Sequence, residues 1–131
     1  MRMGKFVRTG IVGLMAATLF AAAPAAMAQG GGSRVSRQGS CSGGADWKLS
    51  LKPDDGRIQL ELEVEHARPG QTWAVRITDN GQQVFQGSRT ANSLHQFAVK
   101  KLIANRAGQD AVKATARNNA TGQVCNASAA L

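Results

Sequence analysis

From Ile58 to Glu65 apolar and polar residues alternate without a miss (Ile-Gln-Leu-Glu-Leu-Glu-Val-Glu). That two-residue period belongs to a strand with one dry and one wet face, and it marks the central strand of an antiparallel sandwich. Just upstream, Trp47, Leu49 and Leu51 alternate with Lys48, Ser50 and Lys52, and Pro53-Asp54-Asp55-Gly56 separates the two runs. Pro presets φ and Gly supplies a positive φ, so this stretch reads as a turn. As a four-residue hairpin loop it sets Leu51 against Ile58, Leu49 against Leu60 and Trp47 against Leu62, with Lys48 facing Glu61 on the other side. A slip of one residue would set every apolar side chain against a polar one.

The same rhythm recurs downstream. Ala67-Arg68-Pro69-Gly70 closes the central strand, and Gln71 to Asp79 alternates again, with Trp73, Val75 and Ile77 inward and Arg76 and Thr78 outward. Asn80-Gly81 is a strong two-residue hairpin signal, since both central positions of a type I′ turn need φ > 0. Ile77 is then expected opposite Val84, Gln83 to Gln86 forms a short strand, and Gly87 to Asn92 is a polar connection carrying Arg89. Leu94 to Leu102 is another strand with Phe97 and Val99 inward, Ala111 to Arg117 a sixth, and Gln123 to Ala127 the last. Ala111 to Ala116 is rich in a helix-favouring residue, but its alternation and flanking turns indicate strand. Seven short strands with turns at this spacing give an all-β fold, a single seven-stranded antiparallel sandwich.

The ends set the domain limits. Arg2, Lys5 and Arg8 precede an apolar run from Gly10 to Ala23, and Ala26-Met27-Ala28 supplies small residues at a cleavage site. Residues 1–28 therefore read as a signal peptide cleaved before Gln29; the run is too short for a membrane span of about 20 residues. The Ala-rich segment resembles bacterial general-secretory signals, actinobacterial ones included. Residues 29–39, rich in Gly, Ser and Arg with one apolar side chain, read as a flexible arm, which leaves residues 40–131 as the sandwich. The signal accounts for three of the sixteen basic residues, and the remaining thirteen against eight acidic ones still give a net charge of +5. Export makes an oxidised pair of the two cysteines the natural reading, Cys41 tied to Cys125 and so first strand to last. Neither a C-x-x-C motif nor a neighbouring histidine points to metal or redox chemistry.

Seven strands, Trp73 on the third and a hairpin at Asp79-Asn80-Gly81 make the chain from Cys41 to Leu131 resemble an immunoglobulin-like or fibronectin type III-like sandwich. The cysteines depart from the immunoglobulin pattern of second and sixth strands, and a tyrosine corner is impossible in a chain without tyrosine. Chromophore-carrying sandwiches of the neocarzinostatin type are similar in size and in Ala, Gly and Thr content. They have two disulfides and an acidic balance, so their ligand is not carried over.

Candidate chemistry is sparse. His66 and His95 lie at a strand end and a strand start without a nucleophile beside them, and both read as structural. Glu61, Glu63 and Glu65 line one strand face and read as charge-paired by Lys48. Asp54-Asp55-Gly56 and Asp79-Asn80-Gly81 could offer oxygen to calcium, but turn chemistry explains both. No catalytic residue, metal or cofactor is assigned, and the chain reads as a non-enzymatic monomer without a membrane span after cleavage. In this architecture the third and sixth strands adjoin, so Arg76, Lys113 and Arg117 share an outward face suited to an anionic envelope polymer or extracellular protein partner. Nucleic acid is disfavoured, because Trp47 and Trp73 point inward and Phe85 is the lone outward aromatic. The alternative is an extracellular protease inhibitor presenting Gly87-Ser88-Arg89-Thr90 as an exposed loop.

Overall fold

The computed structural model describes residues 33–131; the signal peptide expected over 1–28 with its cleavage site, and residues 29–32 of the arm, lie outside the described residues. Eight strands follow in order: β1 (Val35–Ser40), β2 (Asp46–Asp54), β3 (Arg57–Glu65), β4 (Thr72–Asp79), β5 (Gln82–Thr90), β6 (Gln96–Ala104), β7 (Ala111–Asn118) and β8 (Val124–Ala130). A 3-10 turn at Ser42–Gly44 is the one helical segment among the described residues. The strands form two four-stranded antiparallel sheets in the orders β1-β2-β3-β6 and β5-β4-β7-β8.

The eighth strand is β1, from a segment whose composition suggested a flexible arm. Its sequence, Val-Ser-Arg-Gln-Gly-Ser, buries little. What holds it is the edge of β2, against which it pairs from Val35↔Leu51 to Ser40↔Asp46. Gly39 also lets a ring lie flat on the backbone: a Cβ there would come within 2.8 Å of the Trp47 indole. Trp47, expected in the interior, is accordingly half-buried against the rim of the core and over β1.

The β2–β3 turn is tighter than the sequence suggested. Asp54 pairs with Arg57, so the loop is only Asp55-Gly56, both at positive φ (50° and 78°). The register moves by two residues, to Leu51↔Leu60, Leu49↔Leu62, Trp47↔Val64 and Lys48↔Glu63. A shift of two keeps each side chain on its face, which is why the apolar pattern alone did not separate the two alternatives. Pro53 is tolerated inside β2 because β1 starts only opposite Leu51, so no strand lies on that side to require its missing N–H.

In the β4–β5 hairpin, Asn80 and Gly81 do take positive φ (51° and 84°). The pairing then slips: Thr78 faces Gln83 but Ile77 faces Phe85, which leaves Val84 as a β-bulge. One extra residue inverts the alternation beyond it. Phe85, Gly87 and Arg89 therefore turn to the core side of Ile77, Val75 and Trp73, and β5 runs on to Thr90. The outward orientation expected for Phe85, and the exposed loop expected at Gly87-Ser88-Arg89-Thr90, are both corrected by this bulge. β6 likewise begins later than Leu94. Asn92 accepts bonds from the N–H groups of Leu94 (2.9 Å) and Gln96 (3.0 Å), making a turn that leaves Leu94 71% exposed.

Between the sheets lie Leu49, Leu51, Ile58, Leu60, Leu62, Val64, Trp73, Val75, Ile77, Val99 and Val112, all essentially buried. Trp73 and Phe97 meet at 5.4 Å between ring centroids, joining β4 of one sheet to β6 of the other. The two open flanks close by different chemistry. On the β1/β8 side, Cys41, in the link between β1 and β2, is bonded to Cys125 of β8. On the β5/β6 side, Arg89 donates from Nε to the Ala98 carbonyl of β6 at 3.1 Å while its guanidinium lies 5.1 Å from the centre of the Phe85 ring.

Candidate functional site

β4 and β7 pair directly, and the register fixes where their outward side chains stand: Thr78↔Lys113, Arg76↔Thr115 and Ala74↔Arg117. Arg76 sits diagonally between Lys113 and Arg117, at the roughly 7–8 Å typical of diagonal neighbours. All three are exposed, because the strict alternation of β4 and β7 sends Trp73, Val75, Ile77, Val112, Ala114 and Ala116 to the core. Arg76 is also oriented, donating from Nε to Gln83 Oε1 of β5 at 2.9 Å. Among the described residues no carboxylate shares this face: its other outward residues are neutral, chiefly Thr115, Gln86, Ser88, Asn126 and Ser128. None of the three cations makes a salt bridge among the described residues. A shallow depression of about 360 Å³ between β4 and β5, lined by Arg76, Gln86, Ser88 and Thr115, roughens the face.

The opposite sheet presents a mixed face. Lys48 stands across from Glu63, Lys100 Nζ lies 4.0 Å from Glu61 Oε2, and Glu65 sits opposite Asp46. The row Glu61, Glu63, Glu65 is thus charge-compensated along most of its length. Lys101 is paired with Leu60 and so lies on the core-facing side of edge strand β6, yet is exposed. Arg89, expected on an exposed loop, is taken up by the β5/β6 closure.

Two features were not legible as sites in the sequence. Asp79, at the end of β4, and Asp110, just before β7, are both buried and interact with each other. Burial, a hydrogen bond with Asp110 and the charge of Asp110 push the Asp79 carboxyl up to about 6, with Arg106 opposing. Both oxygens of Asp79 and Oδ2 of Asp110 have no other partner among the described residues. Asp79 had been accounted for by turn chemistry, and only the pairing of β4 with β7 brings a second carboxyl to it. The other feature is the pair of histidines: His66 and His95 lie one step past the Glu65↔Gln96 pair, opposite each other at the end of the β3/β6 ladder. His66 Nδ1 is 2.8 Å from Asp46 Oδ2.

Among the described residues no group of three or more His, Cys, Asp or Glu side chains is placed to hold a metal ion, and no helix is long and apolar enough to cross a membrane. Comparisons of the chain with protein-family models, with curated proteins and with solved structures found no match.

Proposed function

We propose that this protein is a secreted, non-enzymatic binding module that attaches to an anionic envelope polymer through the outward face of the β5-β4-β7-β8 sheet. The observation that carries the reading is Arg76, Lys113 and Arg117 together on a face without a carboxylate among the described residues. Three fixed cations at strand spacing, one held in place by Gln83, meet a polyanion without internal competition and release its counterions on contact. The Cys41–Cys125 bond is compatible with an oxidising compartment outside the cell. The strand order supports an immunoglobulin-like or fibronectin type III-like reading for β2 to β8. Taken as A, B, C, C′, E, F and G, they separate into A-B-E and C′-C-F-G sheets, with a buried Trp73 on the third, and β1 is an addition to A.

Binding to polyphosphate, followed by calorimetry between 50 and 300 mM salt, is expected to weaken linearly on logarithmic axes. The Arg76→Glu/Lys113→Glu/Arg117→Glu protein is expected to lose at least about tenfold in affinity at low salt, with the slope shallower by roughly two to three. All three positions are exposed, so the variant should stay folded. Binding indifferent to salt, or undiminished by the triple reversal, would overturn the reading.

A further inference from the structure

At one end of the sandwich the chain's two histidines and Arg68 line a single open cleft of about 670 Å³, together with Gln71 and the turn Thr121-Gly122-Gln123. Among the described residues no carboxylate lines it. The two imidazoles are brought together by backbone geometry. His66 (φ 60°) and His95 (φ 65°) both take the left-handed conformation, which non-glycine residues adopt uncommonly. The Ala67 N–H bonds to the His95 carbonyl at 3.0 Å, and the His95 N–H bonds to the Asn92 carbonyl at 3.0 Å. Both residues are therefore locked beside each other rather than left to fray at a strand end. Asp46 Oδ2, 2.8 Å from His66 Nδ1, fixes the orientation of that ring and assigns its Nδ1 as a proton donor. Nε2 of His66 is left without a protein partner among the described residues, as are both ring nitrogens of His95 and the guanidinium of Arg68.

We infer that this cleft binds a phosphate group, held by the Arg68 guanidinium and by the imidazoles of His66 and His95 acting as donors. An arginine presents a planar fork of N–H groups to a phosphate, and each imidazole adds a charged donor once protonated; His66, with its Nδ1 proton held by Asp46, donates from Nε2 only in that form. Protonation charges both rings and makes Nε2 of His66 a donor, so occupancy strengthens as the medium turns acidic. The other charged groups beside the histidines are Asp46 of β2, which pairs with His66, and Glu65 of β3, opposite Asp46. The turn Thr121-Gly122-Gln123 and the Ser42–Gly44 link contribute no ionisable side chain. The site lies on loops at the end of the sandwich and does not depend on the function proposed for the β4/β7 face, from which the Arg117 guanidinium approaches the Gly122 turn, 3.7 Å from where a Cβ there would stand.

Sulfate is the cleanest probe, because its charge is constant between pH 5.5 and 8 and any pH dependence then belongs to the protein. Titration of the disulfide-bonded protein, followed by the imidazole carbon-bound proton signals of His66 and His95, is expected to give saturable shifts at pH 5.5. The affinity is expected to fall at least about tenfold by pH 8, and inorganic phosphate should compete for the same signals. Arg68→Gln, and separately His95→Asn, which keeps a residue tolerant of positive φ, should each weaken binding about tenfold. The Arg76→Glu/Lys113→Glu protein, which leaves Arg117 in place, should retain the site. Shifts that do not saturate, that are equal at both pH values, that phosphate does not compete for, that persist undiminished in both variants or that vanish in the Arg76→Glu/Lys113→Glu protein would overturn the inference.

Discussion

Replacing Cys41 and Cys125 together by alanine is expected to lower the unfolding free energy by about 4–5 kcal/mol. The bond closes a loop spanning 84 residues of sequence separation. In the chain-entropy picture, a loop of that length removes about that much conformational freedom from the unfolded chain. Against a net stability of roughly 5–15 kcal/mol for a domain of this kind, the loss takes the protein close to its unfolding threshold. Alanine suits position 125, which is buried among Ala114, Ala116 and Ala127, where a serine hydroxyl would lack a partner. With an m-value of about 1–2 kcal/mol per molar, the urea midpoint should fall by about two to five molar. A midpoint unchanged to within about half a molar would show that the bond contributes nothing beyond the native packing.

The second large effect concerns pH. The Asp79 carboxyl titrates near 6 in the folded protein against an ordinary value of 3.8. The folded state therefore binds the proton more tightly than the unfolded chain does. The stabilisation is fully present below about pH 4 and is lost as pH rises through about 6, when a second negative charge must form beside Asp110 in the interior. The window amounts to about 3 kcal/mol. Asp79→Asn keeps the shape and replaces the shared proton by an amide donor. Its unfolding free energy should exceed that of the parent protein by on the order of 2–3 kcal/mol at pH 7.5 and match it near pH 4. Groups remote from Asp79 contribute equally in both proteins, so the difference between the two urea curves isolates the Asp79–Asp110 pair. Parallel curves from pH 4 to 8 would show that the two carboxyls do not share a proton.

The two-residue rhythm made the interior readable. Leu49, Leu51, Ile58, Leu60, Leu62, Val64, Trp73, Val75 and Ile77 all face inward as their spacing required, and the outward placement of Arg76, Lys113 and Arg117 follows from the same count. What escaped was information that alternation does not carry. A shift of two residues preserves every face, so Asp55-Gly56 and the four-residue loop were equivalent to the pattern. The Val84 bulge has no signature of its own, and it reversed the orientation of Phe85 and Arg89. β1 is held by pairing with the β2 edge and by the Gly39 contact with Trp47, which a low apolar content conceals. The Asp79–Asp110 pair and the His66–His95 cleft join residues from separate turns, and only the order of the strands brings them together.

The two flanks of the sandwich give it the mechanics of a book. On the spine a covalent sulfur bond holds the leaves together at Cys41 and Cys125, and no thermal fluctuation separates them there. Along the fore-edge the leaves meet through a reversible clasp, one arginine resting on a phenylalanine and bonded to a single carbonyl of the facing strand. Breathing of the native protein should therefore run from the fore-edge inward, with amide protons of β5 and β6 exchanging before those of β7 and β8. Such an opening flexes only the outermost strand of the leaf that carries Arg76, Lys113 and Arg117, so the β4/β7 register that spaces those cations is kept while Arg76 gives up its bond to Gln83.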